Sequence, residues 1–371
     1  MQESDLPALV TQVLWASFVL AVAFGAIAQR THFCTMGAVA DIVNMGDWTR
    51  MRMWLMAMGV AMIGFNAMVA LGWVQAGQSV YAGPRLIGLS NLIGGLLFGF
   101  GMVLASGCGS KTLVRIGGGS LKSVVVFFVL AVAAYATLRG ITAVARVATV
   151  DAVALTLAGG QDLPSLLANI TGASRGSLAL LLGGLIGGAC IAFAIAKAEG
   201  RSADVLLAGL GLGAVVVAVW WVSGRLGHLA EHPVTLEDVF LATNTQRMES
   251  LTFVAPMAYT VDWLILFSDK SKVLTIGIVT TLGVVVGSAL VAVMNGSFRW
   301  EGFGGTEDTA NHIVGALLMG VGGVTAMGCT IGQGLSGVST LAIGSFIALA
   351  GIIGGSVAML KYTLWREERS A

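Results

Sequence analysis

Long apolar runs alternate with short polar connections along this chain. The apolar runs fall at about 11–29, 53–74, 86–107, 123–138, 176–196, 203–222, 273–294, 311–328 and 338–360. A helix needs ~20 consecutive apolar residues to cross the hydrocarbon of a bilayer. Two of the runs are short or broken by glycine, so the pattern predicts eight to ten spans. The expected fold is an all-α polytopic membrane protein with roughly nine membrane-spanning helices plus short re-entrant helices. No stretch is left over for a soluble domain, so residues 1–371 read as one multi-pass domain.

Two of the runs repeat each other. Residues 93–108, IGGLLFGFGMVLASGC, superimpose on 314–329, VGALLMGVGGVTAMGC. Gly94 meets Gly315, Gly99 meets Gly320, Gly101 meets Gly322, Ala105 meets Ala326, and Gly107–Cys108 meets Gly328–Cys329. A glycine-lined apolar helix running twice into a Gly-Cys break implies two pseudo-symmetric halves. Duplicated folds with interrupted hydrophobic segments at corresponding positions are a common layout of small-solute transporters, with the solute site at the interruptions.

Composition agrees with the pattern: 56% of residues are hydrophobic and 11% charged, with a mean hydropathy of +0.88. The 52 glycines suit the close helix approach of membrane interiors. Glu3 and Asp5 stand where the basic region of a cleaved signal peptide would be, so the first span is expected to be retained. Lysines and arginines favour the cytoplasmic side. That rule assigns the loops holding Arg50 and Arg52, Lys197 and Arg201, and Lys270 and Lys272 to the cytoplasm, with the tail bearing Lys361, Arg366 and Arg369. The N-terminus and the polar segment 224–255 then face the periplasm across a bacterial inner membrane. Simple alternation conflicts with this unless one Gly-Cys segment dips in and returns.

Other classes are not indicated. A net charge of +1 with no basic run gives nucleic acid nothing to bind. Cys34, Cys108, Cys190 and Cys329 have neither CxxC spacing nor a disulfide framework. P-loop, HExxH and dinucleotide-binding motifs are absent, and His228 and His232 have no third ligand, so no enzyme, resident metal or cofactor is expected.

Three cysteines each follow a helix and open a polar turn: Cys34 in RTHFCTMGAVADIV, Cys108 in ASGCGSKTLVRIGGGS and Cys329 in AMGCTIGQGLSGVST. Turns built from Gly107, Gly109, Gly328 and Thr330 aim backbone N–H groups into whatever space they border, and a helix starting there adds a positive end. Such places suit an anion, and thiols add soft, weak donors. Lys111 and Arg115 behind Cys108 either set topology or draw an anion through; Cys329 is followed by Gln333 and Ser336. Cys190, in LIGGACIAFAIA, reads as a small buried hydrophobe. Met51, Met53, Met56, Met58 and Met62 are soft ligands of the kind that select Cu(I), yet they cannot share one helical face, and packing is the competing reading.

At these motifs the chain resembles the YeeE/YedE family of bacterial sulfur-compound transporters. The resemblance rests on RTHFC with the following Asp41, on GFGMVLASGCGSKTLVRIGGGS, on Phe298–Trp300 and on GCTIGQGLSG, in that order along nearly the whole chain. It implies an inner-membrane protein with pseudo-symmetric halves and re-entrant helices that takes up thiosulfate past a line of cysteines. By motif, Cys108 is the central thiol and Cys34 and Cys329 accompany it. A cytoplasmic TusA-like sulfur carrier is the implied partner. Lys111 and the insertion at about 140–175 depart from the family pattern.

The expected function is import of an inorganic sulfur anion, thiosulfate above all. A dianion cannot enter hydrocarbon bare, so turn N–H groups must replace its water. A thiol with an ordinary pKa of ~8.5 is mostly neutral at pH 7 and donates to the soft terminal sulfur without repelling it. Weak, repeated sites also let the ion leave. The alternatives are a membrane sensor of thiosulfate, a sulfur-transferring protein and, behind them, a Cu(I) permease.

Overall fold

The computed structural model describes residues 5–233 and 235–370; Glu3 lies outside them. The helices are α1 (Leu6–Arg30), α2 (Thr35–Met45), α3 (Thr49–Ala70), α4 (Gly88–Leu104), α5 (Gly109–Gly117), α6 (Leu121–Arg139), α7 (Ile141–Ala148), α8 (Leu163–Thr171), α9 (Arg175–Ile195), α10 (Ala203–Trp221), α11 (Val254–Ile265), α12 (Ile276–Met294), α13 (Thr306–Thr325) and α14 (Ile343–Ser370). π-Helical turns follow at Val222–Leu226 and Gly332–Gly337. The strands described are two short ladders, Arg85–Leu86 with Leu155–Thr156 and His228–Leu229 with Val239–Phe240. The protein is an all-α polytopic membrane protein.

Polar residues set the helix ends. Ser120, Asp162, Ser174 and Ser202 each cap the helix that follows by accepting a first-turn N–H, a bond worth ~1 kcal/mol. Gly46 closes α2 in the left-handed conformation at φ +69°, where glycine carries no Cβ penalty. Among the described residues, eight stretches are long and apolar enough to cross a membrane. Together with α13, whose first turn carries Glu307 and Asp308, they account for nine crossings between two faces. We call the face where α1 starts the N-face and the face where α14 ends the C-face. Alternation through nine crossings already puts the termini on opposite faces, so the conflict anticipated from sequence does not arise.

One charged loop is reassigned. Asp262 at the end of α11 holds Lys272 at 2.6 Å, and the Ile276 N–H donates to the Ala242 carbonyl at 2.8 Å. Lys270 and Lys272 therefore share a face with the 224–255 segment and oppose the other basic loops. The cause is α11: twelve residues rise only ~18 Å, too little to cross.

The helix contacts fall in a paired pattern. α1 packs on α12 as α10 packs on α3, and α6 packs on α13 as α14 packs on α4. At their centre α4 and α13 run antiparallel, backbone to backbone. A Cβ on Gly101 would lie 2.6 Å from the Gly315 carbonyl oxygen, and one on Gly315 would lie 2.6 Å from the Gly101 oxygen. Gly94 and Gly322 repeat the relation at 2.7 Å each way. These are the glycines aligned by the repeat, each facing the other copy's partner. Without a hydrophobic drive between helices in lipid, this close contact is what holds them.

Buried polar side chains tie distant segments together. Asn66 donates to the Ser339 carbonyl at 3.0 Å, the Trp220 indole to the Ser339 hydroxyl at 3.1 Å, and the Ser336 hydroxyl to the Leu251 carbonyl at 2.7 Å. The 140–175 insertion forms α7 and α8 on the N-face and pairs with Arg85–Leu86. Of the methionines considered above, Met53, Met56, Met58 and Met62 are buried, and Met56 fills the space beside Gly209 of α10.

Candidate functional site: three cysteine breaks between two cavities

Each of the three cysteines follows the same backbone device. His32, Ser106 and Met327 are left-handed, at φ +52°, +54° and +61°. Each lies two residues before its cysteine. The next N–H in each case reaches back five residues to close the preceding helix: Phe33 to Ala28 at 3.1 Å, Gly107 to Met102 at 2.8 Å and Gly328 to Gly323 at 2.8 Å. This is the Schellman closure, made here by residues that bear a Cβ. The cysteine then starts a new helical turn, its carbonyl accepting from Ala38, Thr112 or Gln333 at 3.0, 2.9 and 2.7 Å.

The thiols differ in what they cap. Cys34 Sγ accepts the Gly37 N–H at 3.3 Å and Cys329 Sγ the Gly332 N–H at 3.4 Å. Cys108 Sγ contacts the Ser110 hydroxyl at 3.2 Å instead, and no side chain caps α5. The first N–H groups of α5, from Gly109 onward, thus have no intrahelical partner. Cys108 and Cys329 are buried at 1% and 0% exposure and Cys34 at 9%. Cys108 lies within electrostatic reach of both Cys34 and Cys329, so the structure brings the three predicted thiols together. Cys190 is elsewhere, beside Gly59 at the crossing of α3 and α9.

The remaining predicted residues divide between the two ends. On the C-face, a cavity of about 350 Å³ is lined by His32, Lys111, Arg115, Arg299 and Glu301. The Lys111 stem lies under Gly107, whose added Cβ would come within 3.1 Å of it. Lys122 engages Glu301 at 2.7 Å and holds its carboxyl below the usual carboxylate range, which leaves the cavity net basic. On the N-face, a cavity of about 210 Å³ ends on Met327 and Gly328 and is lined by Tyr81, Arg146, Glu249, Thr252 and Tyr259. Beside Cys329, the Thr330 hydroxyl and the Gln333 amide oxygen are buried with no hydrogen-bond partner, while the Gln333 amide nitrogen donates to the Ala326 carbonyl.

Sequence reasoning missed the N-face cavity, and it placed a polar turn at Cys34 without recognising there a third copy of the same closure. His32 and Phe33 stand where the repeat has Ser106–Gly107 and Met327–Gly328, so no glycine marks the turn. The signal available was position: a polar residue two places before a cysteine at the end of an apolar run.

A multi-pass membrane protein with paired helix breaks between opposed cavities belongs to the transporter class. The chain matches the sulphur transport family over residues 30–358 and belongs to that family; it is a transporter of sulfur compounds and not an enzyme. It is 26% identical over 361 residues to the thiosulfate transporter TsuA of Spirochaeta thermophila, covering 94% of this chain and 98% of that one. It is also 26% identical over 331 residues to TsuA of Escherichia coli, covering 87% of each. The probable transporter YedE of Salmonella typhimurium is 34% identical over 110 residues, 30% of this chain.

Proposed function

We propose that this protein imports thiosulfate, which passes from the N-face cavity by Cys329, Cys108 and Cys34 to the basic C-face cavity. The observation that carries the reading is the threefold break. Three thiols sit at equivalent helix starts, with Cys108 in electrostatic reach of the other two and a cavity at each end. Neutral thiols donate weakly to the soft terminal sulfur. The uncapped N–H groups at Gly109, Ser110 and Lys111, and the free Thr330 hydroxyl, take over the oxygens, as backbone dipoles do for anions generally. Lys111 and Arg115 draw the dianion onward. Their charge lies on the C-face side of Cys108, lining the C-face cavity, so it favours exit there.

In this reading the whole chain is one transport unit, its Gly-Cys segments are spans broken into half-helices, and the N-face is periplasmic. The TsuA relatives support thiosulfate as the solute, and the basic loops at the C-face support a cytoplasmic side there. A TusA-like carrier receives the sulfur inside. The deciding experiment is uptake of labelled thiosulfate by vesicles containing this protein alone. Saturable, cysteine-dependent uptake is expected. Binding without net flux would make the protein a sensor, and copper accumulation in its place would make it a soft-metal permease.

A further inference from the structure

The N-face cavity is built with one acid and one base in its lining among the described residues, Glu249 and Arg146. Arg146 is carried by α7 of the insertion and is braced over the end of α13. Its Nε lies 3.2 Å from Asp151, which accepts the Ser90 hydroxyl at 2.6 Å, and its Nη1 donates to the Val324 carbonyl at 3.4 Å. Its charge is thereby partly answered before any solute arrives. Glu249 enters no ion pair among the described residues. Its backbone N–H donates to the Ser223 hydroxyl at 3.0 Å, and it shares the cavity with Tyr81 and Tyr259, within electrostatic reach of both phenols, and with the Thr245 hydroxyl.

An ionised Glu249 would make this cavity hostile to its proposed occupant. Within 210 Å³, a carboxylate and a dianion cannot be separated by a Debye length, about 8 Å at physiological salt. We propose that Glu249 is a proton-operated charge gate: the dianion occupies the N-face cavity only while Glu249 is the neutral acid, its proton taken from N-face solvent and returned there when the carboxylate re-forms. The argument rests on the reading of the solute as a sulfur dianion. As a neutral acid, Glu249 becomes a hydrogen-bond donor to the anion rather than a repulsive charge.

The groups facing Glu249 support this. From the connection before α4 comes Tyr81, from α11 Tyr259, from α7 Arg146 and from its own loop Thr245; Asp151 stands behind Arg146, Arg139 near Tyr259 and Cys329 near Tyr81. Burial pushes the Glu249 carboxyl up to about 8, with the Thr245 hydroxyl opposing. The acid form therefore prevails at neutral pH and is lost as pH rises through that value.

The test is the pH dependence of KM for labelled thiosulfate in vesicles, between about pH 6.5 and about pH 9.5, with a single required proton giving about tenfold per pH unit above the transition. In the parent, KM should rise in this way above about pH 8. In Glu249→Gln, which keeps the shape of the neutral acid, that rise should vanish. A parent KM that stays flat over the whole range overturns the gate without any variant. A rise of equal size in parent and Glu249→Gln also overturns it and assigns the titration to the thiols. If Glu249→Gln fails to reach the membrane, Glu249→Asp replaces it, and an unmoved transition in that variant counts against the gate. Absence of thiosulfate uptake by the parent at pH 6.5 would instead refute the proposed substrate, so the two failures are distinguishable.

Discussion

Replacing Gly315 by alanine tests whether the α4–α13 contact positions the thiols. The added Cβ would meet the Ala105 nitrogen and the Gly101 oxygen, both at 2.6 Å, and the Ala105 Cβ at 3.0 Å. Two of the three atoms are backbone, so no side chain can swing away. Restoring ordinary contact near 3.4 Å requires the two helices to part by about 0.8 Å. Overpacking of this kind costs ~1–3 kcal/mol. Alanine's better helix propensity returns ~0.8–1.0 kcal/mol, so the raw loss understates the clash. Gly188→Ala supplies the control, because a Cβ there meets nothing within 4 Å and gains the same propensity. The difference between the two variants isolates the clash at ~1–3 kcal/mol. Thermal unfolding in detergent reads the stability, and thiosulfate uptake in vesicles reads the function. Gly315→Ala should lose both, because Ala105 lies three residues before Cys108, whereas Gly188→Ala should keep both. Equal stability and equal uptake in the two variants would refute the idea that this crossing holds Cys108 in place.

Among the cysteines, Cys108→Ala and Cys108→Ser should abolish or nearly abolish uptake with normal expression. Cys34→Ala and Cys329→Ala should impair it, and Cys190→Ala should not; full activity of the serine variant would leave only the backbone cradle. Joint replacement of Met51, Met53, Met56 and Met58 by leucine should preserve thiosulfate uptake with at most ~1.5 kcal/mol lost per site, since the swap conserves volume. Selective loss of copper accumulation, in a protein whose parent never transports thiosulfate, would reverse the assignment. Doubly labelled thiosulfate should enter with both sulfurs together when no carrier protein is present, and the intact mass should show no sulfur added to Cys108. The basis is the proposed role of the thiols as neutral donors, which make and break no bond; separated labels or a persulfide on Cys108 would make it a nucleophile.

The nine apolar runs were legible because lipid demands length and apolarity of each span on its own, and every run coincides with one of the long helices. The breaks at Cys108 and Cys329 were legible because glycine occupies the same places twice. At Cys34 the helix end and polar turn were legible but the shared closure was not, because a Schellman closure is defined by dihedral angles, and His32 adopts them without glycine. The side of Lys270 and Lys272 was misjudged because it was assigned from charge alone, whereas α11, the helix between the 224–255 segment and these lysines, is too short to carry the chain across. The N-face cavity was invisible for a different reason. Tyr81, Arg146, Glu249 and Tyr259 come from four separate segments, and only the tertiary fold makes them neighbours.

The reciprocal glycine contacts also constrain how such a protein can move. Rocking one half against the other would shear the Gly94–Gly322 and Gly101–Gly315 contacts together, at a seam where backbone touches backbone and no side chain is available to slide. A hinge at that seam is therefore disfavoured. What stays free to move is small: rotation of a thiol, turnover of a hydroxyl, a shift of the Lys111 stem beneath Gly107. Conduction through a fixed frame by side-chain hops would resemble beads handed along a stationary line more than a door swinging from one side to the other.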